Sequence, residues 1–349
     1  YSTDYSGPVN DRACLHIDNC YYIPNLKLIS HRCKTNTQSA TAFRGFGGPQ
    51  GMFGIETVIE QIANDIGKDP LDVRLLNIYK DPAVSGNPAT MVTQYGQTIA
   101  DWVGDKVIDQ VATEAKYRER RDSVNAFNKV NKRRKRGLAL VPLKFGISFT
   151  ATMLNQGGAL LNIYMDGSVS VNHGGTEMGQ GLNTKMAQVC ADGLGIDIQY
   201  VRVTGTDTQK VPNASATSAS SGADINGAAI MNATAQMRAR LAPVAANMLG
   251  CKETDVSFAN NKAHGGGKSV DWTAVAKQAW LDRVGLSVTG FYMTPEIKYD
   301  FATLTGHAFY YYCYGASVSE VEIDTRTGEW WLKAVDIVHD AGKSINPAI

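Results

Sequence analysis

From about residue 138 the hydrophobic pattern of this chain changes period, and that change constrains the fold more than any other feature. Before it, apolar residues recur at helical spacing. Met52, Ile55, Ile59, Ile62 and Ala63 form one stripe that follows Pro49 and stops at Gly67. Asp69-Pro70 then sets a capping side chain ahead of a proline at the first helical position, and Leu71, Leu75 and Ile78 supply the face of a second helix. Residues 100–130 read as a further helix running into the basic stretch Lys132 to Arg136. Residues 1–48 read as extended segments and loops that end in a glycine cluster.

After the change, strands and turns dominate. Gly137 to Pro142 reads as a buried strand. Ala159 to Tyr164 and Val169 to Val171 flank Asp166-Gly167, a strong hairpin signal. Helices are expected over about 181–194 and 222–249 and again after Asp271, with a strand at Tyr200 to Val203. A second hairpin pairs Ala316–Ile323 with Trp331–Val338. The pattern predicts an α+β protein, with mixed sheets and helices in more than one subdomain and a boundary near 130–140.

Composition narrows the partners. Lysine plus arginine (34) nearly cancel aspartate plus glutamate (33), so the net charge is +1. That balance gives no reason to expect nucleic acid, and the basic stretch reads as a solvated helix end. No apolar run reaches the roughly 20 residues of a membrane span. The six cysteines are scattered without a Cys-x-x-Cys pair, which predicts free, mostly buried thiols of a reducing cytoplasm. Any metal cluster that works with the chain must be bound elsewhere. Neither end resembles a terminus, so both read as interior to a longer polypeptide.

Two Gly-Lys-Ser sequences, at Gly267 and Gly342, lack the earlier glycine of a phosphate loop, because Lys262 and Ile337 stand there. They read as polar turns. Three glycine- or hydroxyl-rich stretches carry more. The first, Thr41 to Gln50, puts aromatics and an arginine on a loop whose backbone can approach a ligand closely. The second, Gly174 to Gly181, leads into a helix, and so does the third, Asn213 to Gly222. Amides and hydroxyls at helix N-termini suit an anionic or oxygen-rich group, although each loop alone could be an ordinary cap. Together they point to a large polar cofactor.

The first of these stretches resembles the large, molybdenum-binding subunit of the xanthine dehydrogenase and xanthine oxidase family. So do Lys144 to Thr150, His173 to Gly181, and Tyr314 through the closing Ser344 to Ile349, in the family's order. The resemblance implies a molybdopterin-binding domain of that type, with residues 1–135 as part of a first subdomain and 136–349 as part of a second. It implies a molybdopterin whose metal carries oxo and sulfido ligands. It also implies [2Fe–2S] clusters and FAD on other domains or subunits, and NAD as the usual acceptor. The expected activity is cytoplasmic oxidation of hypoxanthine and xanthine to urate, within a homo-oligomeric enzyme that needs no membrane. A hydroxylase of aldehydes or other N-heterocycles, or a non-catalytic cofactor-binding module, would share the motifs.

Carried over residue by residue, the backbone of Phe43 and Arg44 would lie near the metal's ligands, with Gly45 beside them. Gly179 and Gln180 would meet the pterin, and Ala219 and Ser220 would touch the cofactor ahead of the long helix. Phe46 would lie over the substrate's ring and Phe149 would meet it edge-on, while Thr150 would hydrogen-bond it. Arg12 falls where purine-oxidising members place an arginine facing the heterocycle, and is the expected catalytic residue of this stretch. The family's base glutamate lies in a Gly-Glu-x-Pro motif that does not occur here.

Overall fold

The structure, a computed structural model, describes residues 5–348, so Ile349 of the closing motif lies outside the described residues. Its first helices are α1 (Ser6–Leu15), α2 (Gly48–Asp65), α3 (Pro70–Asn77), α4 (Pro82–Ser85), α5 (Gly104–Glu114) and α6 (Tyr117–Val130). Strand β1 (Arg134–Ile147) follows, then β2 (Gln156–Ile163), β3 (Val169–His173), α7 (Leu182–Leu194) and β4 (Val201–Val203). The long α8 (Gly222–Leu249) precedes β5 (Ser257–Ala259), β6 (Lys262–Gly265), β7 (Lys268–Asp271) and α9 (Trp272–Leu281). The chain ends in β8 (Ser287–Met293), β9 (Lys298–Asp300), β10 (Thr305–His307), β11 (Tyr311–Asp324) and β12 (Trp330–Asp340). The class is α+β, as the change of period predicts.

These elements sort into two compact units. One joins the chain up to Thr150 with Ile297–Gly342, and the other joins Ala151–Glu296 with the residues from Lys343 onward. The division falls after Thr150 and not at the change of period. The reason is long-range pairing: β1 runs antiparallel to β11 along its whole length, from Arg134 opposite Asp324 to Ile147 opposite Tyr311.

In the first unit, β11 lies between β1 and β12. Burial alternates along β1, so Leu138, Leu140, Pro142, Lys144 and Gly146 share the inner face. Helices α5 and α6 add Val107, Ile108, Val111 and Val124 to the same core. Three expectations change here. The stretch before residue 48 contains α1, and residues 100–130 form two helices broken at Lys116, which is left-handed at φ 50°. The basic stretch opens β1, where Arg133 reaches Asp324 at 2.6 Å and Arg136 reaches Glu322 at 2.9 Å. Its three arginines are paired with acids of β11.

The second unit is a four-stranded sheet in the order β4-β3-β2-β8, with only the β3–β4 pair parallel. The Asp166-Gly167 turn forms as expected: the Asp166 carboxylate accepts from the Ser168 amide at 2.9 Å. Helix α8 buries Ile225, Ala229, Ile230, Ala233, Met237, Leu241 and Val244, a helical repeat facing the sheet and α7. Alanines let the backbones come close, and a Cβ on Gly290 of β8 would lie 2.1 Å from the Ala229 carbonyl oxygen. The small sheet β5-β6-β7 completes the unit. Its last turn contains the first Gly-Lys-Ser sequence, as a two-residue hairpin of Gly266 and Gly267 at φ 56° and 74°. Two consecutive positive φ values are what a type I′ turn demands, so this glycine pair closes a hairpin.

Among the described residues, no helix is long and apolar enough to cross a membrane. The cysteines are free, but only Cys14, Cys20 and Cys190 are buried, while Cys33 is exposed.

Candidate functional site

In the first unit the Thr41–Gln50 loop is held against α1. Backbone φ is positive at Gly45, Phe46 and Gly47 in succession, at 87°, 50° and 100°. For phenylalanine this is a strained conformation, kept only where surrounding structure enforces it. The enforcement is visible: a Cβ on Gly47 would lie 1.9 Å from the Val9 carbonyl oxygen, and one on Gly51 would lie 2.2 Å from that of Ala13. Two glycines one turn apart let α1 cross the start of α2 backbone to backbone. The cluster therefore serves packing as well as exposing Phe46, which is half-buried with its ring edge-on to Tyr5 at 6.0 Å. Phe43 and Arg44 beside it are exposed.

Arg12 projects from α1 into the same unit's interior and is 3% exposed. Its Nη1 donates to the Ser148 carbonyl at 2.9 Å and its Nη2 to that of Gly146 at 2.5 Å. The guanidinium carbon lies 5.0 Å from the ring centres of both Phe145 and Phe309. Burial lowers its pKa to about 10, partly offset by Tyr95, so the group stays cationic. Its Nε has no partner among the described residues. His16, one turn on, accepts from the Gly146 amide through Nε2 at 3.1 Å, so its Nδ1 carries the proton donated to the Arg12 carbonyl at 2.9 Å. Burial first, and the Arg12 charge second, hold its pKa well below the ordinary value. Phe149 and Thr150 follow Ser148, both half-buried.

The second unit brings the other two stretches together. The Thr176 amide donates to the Thr217 hydroxyl at 2.8 Å, which ties the Gly174–Gly181 loop to the segment ahead of α8. Ala219 and Ser220 are both left-handed, at φ 57° and 59°, immediately before the N-cap Ser221. Neither is glycine, so two adjacent residues hold an unfavourable backbone. Their amides donate to no acceptor among the described residues.

The start of α7 differs from expectation. The carboxylate of Glu177 takes the amides of Gly179, Gly181 and Asn183 at 2.9, 3.1 and 2.9 Å. The helix N-terminus that sequence reasoning offered to an external anion is occupied by the chain's own acid. Those hydrogen bonds, the Asn183 amide first, lower the pKa of Glu177. The exposed Gln180 side chain folds back on its own loop, its Oε1 accepting from the Met178 amide at 2.6 Å and its Nε2 donating to the Thr176 carbonyl at 2.9 Å. The Ala219–Ser220 amides thus fit a polar cofactor, whereas the Gly179 amide, the Gln180 side chain and the Asn183 amide of α7 are engaged within the loop.

Sequence reasoning missed Glu177, Thr217, His16 and Phe309. An acid inside a loop that enters a helix is a recognisable capping signal for Glu177. Thr217 lies in the hydroxyl-rich stretch ahead of α8, and nothing local marks His16 or Phe309.

Residues 1–78 match one molybdopterin cofactor-binding domain, and residues 110–349 match a second. The chain belongs to the molybdopterin cofactor-binding domain family. Within that class its sequence is similar to those of xanthine dehydrogenases. It is 43% identical over 349 residues to the xanthine dehydrogenase of Emericella nidulans and 44% identical over 350 residues to that of Drosophila subobscura. Each comparison covers 100% of this chain and 24% of the relative, so the chain spans only a part of those proteins. Quinoline 2-oxidoreductase from Pseudomonas putida 86 has a similar fold, with TM-score 0.77 and 22% identity over 97% of this chain and 43% of that one. The aldehyde oxidoreductase of Desulfovibrio desulfuricans ATCC 27774 gives 0.78 at 21% identity, over 99% of this chain and 34% of that one.

Proposed function

We propose that this chain forms part of a cytoplasmic, homo-oligomeric molybdenum hydroxylase that oxidises hypoxanthine and xanthine to urate, with water as the oxygen source. The observation that carries the reading is the Ala219–Ser220 turn. Two strained residues present unpaired amides beside the loop that Thr217 ties to it, within a family named for binding molybdopterin. Strain of this kind collects at sites where a ligand repays it.

Ala219 and Ser220 would hold the cofactor by their amides, and Gly179 and Gln180 would line its edge. The Phe43–Gly45 backbone would approach the metal's oxo and sulfido ligands. When bound, the molybdenum group supplies the redox chemistry. [2Fe–2S] clusters, FAD and NAD on other parts of the protein would carry the electrons away. The chain's own residues bind and orient the heterocycle: Phe46 and Phe149 by offset ring packing, worth roughly 0.5–1.5 kcal/mol per pair beyond burial, and Thr150 by a hydrogen bond. The base glutamate would come from outside these residues.

Arg12 would stabilise negative charge that develops on the ring during attack. A second reading, a hydroxylase of aldehydes or other heterocycles, is favoured by its geometry. Both terminal nitrogens are engaged by backbone carbonyls, and Nε has no partner among the described residues. Arg12→Met in the complete enzyme decides between them. A charged hydrogen bond is worth roughly 1.5–3 kcal/mol, so xanthine turnover should fall by about 10–150-fold. Oxidation of a simple aromatic aldehyde should be spared. Equal loss on both substrates would leave Arg12 a strut of the fold and remove the purine assignment.

A further inference from the structure

We infer that Glu177 is a positioning residue for the cofactor. By gathering three amides onto one carboxylate, it fixes the backbone of Gly179 and Gln180 that is to lie against the pterin. The inference rests on the proposed molybdopterin reading, but its structural half stands on geometry alone. One oxygen, Oε1, takes the amides of Gly179 and Gly181, and the other, Oε2, takes that of Asn183. Gln180 therefore lies between two clamped residues. Its own amide closes a second ring inside the first, through Met178 and Thr176, and Thr176 is in turn anchored to Thr217.

The clamp answers a local need. Helix α7 begins after Gly181, which has no side chain to cap the free amides of the first turn, and Glu177 caps one of them, that of Asn183, from upstream. The bonds are charge-assisted, and they favour the ionised carboxyl. The other side of the clamp is open. A Cβ added to Gly179 would meet nothing within 4 Å, so the loop presents a bare backbone edge that the clamp holds in one place. Without the carboxylate, the three amides would turn to water and the Gln180 ring would lose its fixed ends.

Two measurements test this. In the complete enzyme, amide hydrogen exchange at Gly179, Gly181 and Asn183 should quicken by about tenfold in Glu177→Ala, the size expected for losing a helix cap. Glu177→Gln, which keeps one acceptor oxygen, should fall between that variant and the parent. Unchanged exchange in Glu177→Ala overturns the positioning role whatever the cofactor.

In the complete enzyme, the rate of molybdenum and pterin release during dialysis is compared for Glu177→Ala, Gln180→Ala and the double variant. If Glu177 acts through the Gln180 backbone, release quickens in each single variant. The double variant then does little worse than Glu177→Ala. Multiplying effects would make Glu177 a general support of α7 and overturn the inference. A complete parent enzyme that holds no molybdopterin would remove the proposed function and leave the exchange result to stand or fall by itself.

Discussion

The two units bury different kinds of side chain. The buried charged residues among those described are Arg12, Asp18, Glu56, Arg74, Lys144, Glu322 and Asp324, and each belongs to the first unit. The second unit buries neutral polar groups such as Asn172, His173 and Asn226, and fills the rest of its core with aliphatic side chains around Phe258 and Trp272. In the first unit a single carboxylate, Glu56, accepts from Asn19 and Tyr21 at 2.8 and 2.6 Å and from Arg74 at 2.9 Å. Nearby, Lys144 meets Asp18 at 2.8 Å with the Tyr312 ring centre 4.6 Å away. A buried ion pair adds little net stability but makes each partner indispensable to the other. The first unit is therefore specified by pairing and the second by volume.

The largest effect should come from breaking a pair. Glu56→Leu leaves Arg74, whose side chain is 2% exposed, with only the outer Glu60 for company. The expected cost is about 3–5 kcal/mol, and Glu56→Leu with Arg74→Met together should recover much of it. Denaturant unfolding of the single and double variants is the check. A single variant that costs under about 1 kcal/mol would erase the contrast between the units.

A volume change should tell in the second unit. Gly290→Ala drives a methyl group into the Ala229 carbonyl at 2.1 Å and the Ala233 amide nitrogen at 2.8 Å. Overpacking of this kind costs about 1–3 kcal/mol. The same measurement applies, with far-ultraviolet circular dichroism to follow α8. A stable Gly290→Ala protein would show that β8 can slide away from the helix.

Acid should act on both units but more on the first. His16 is buried and neutral, held well below the ordinary value of 6.5, and His173 is lowered more moderately, in both cases chiefly by burial. The folded form then binds fewer protons than the unfolded one. Stability is full above pH 6.5 and is lost as pH falls toward each folded value. For one histidine the slope approaches about 1.4 kcal/mol per pH unit. Unfolding measured between pH 7.5 and 5.5, roughly one unit to either side of the ordinary histidine value, should show this decline. Stability that is flat across that window would mean His16 is protonated in place.

The same contrast explains what could be read in the sequence. Helices α2 and α3, the cap at Asp69, the Asp166-Gly167 hairpin and α8 all carry their signal within a few neighbouring residues. Helix α1 does not, because its buried side includes Arg12 and Gly7, and an arginine facing inward looks like an arginine facing water. The pairing of β1 with β11 joins residues far apart in sequence and moves the boundary of the unit with it. At the site, the glycines around Phe46 announced an unusual backbone, but nothing in Ala219-Ser220 did. Glu177 is legible as a cap, because an acid stands in the loop that enters α7.

The smallest effect should be at Lys268, and it tests whether charge in the second unit is as peripheral as its core suggests. Lys268 opens β7 after the Gly266–Gly267 turn, and its Nζ donates to the Leu249 carbonyl at 3.3 Å, at the C-terminal end of α8. A cation there offsets the helix dipole by about 0.3–1 kcal/mol, and an exposed side chain falls at the low end because solvent and salt screen it. Lys268→Ala should therefore shift unfolding by a few tenths of a kcal/mol, and half-molar salt should abolish the difference. Turnover of the complete enzyme should not change, since a type I′ hairpin has no cradle of amides for a phosphate chain. A loss of turnover by about 100-fold, near 2.7 kcal/mol in barrier, would instead place a functional charge in the unit that otherwise keeps its ions at the surface.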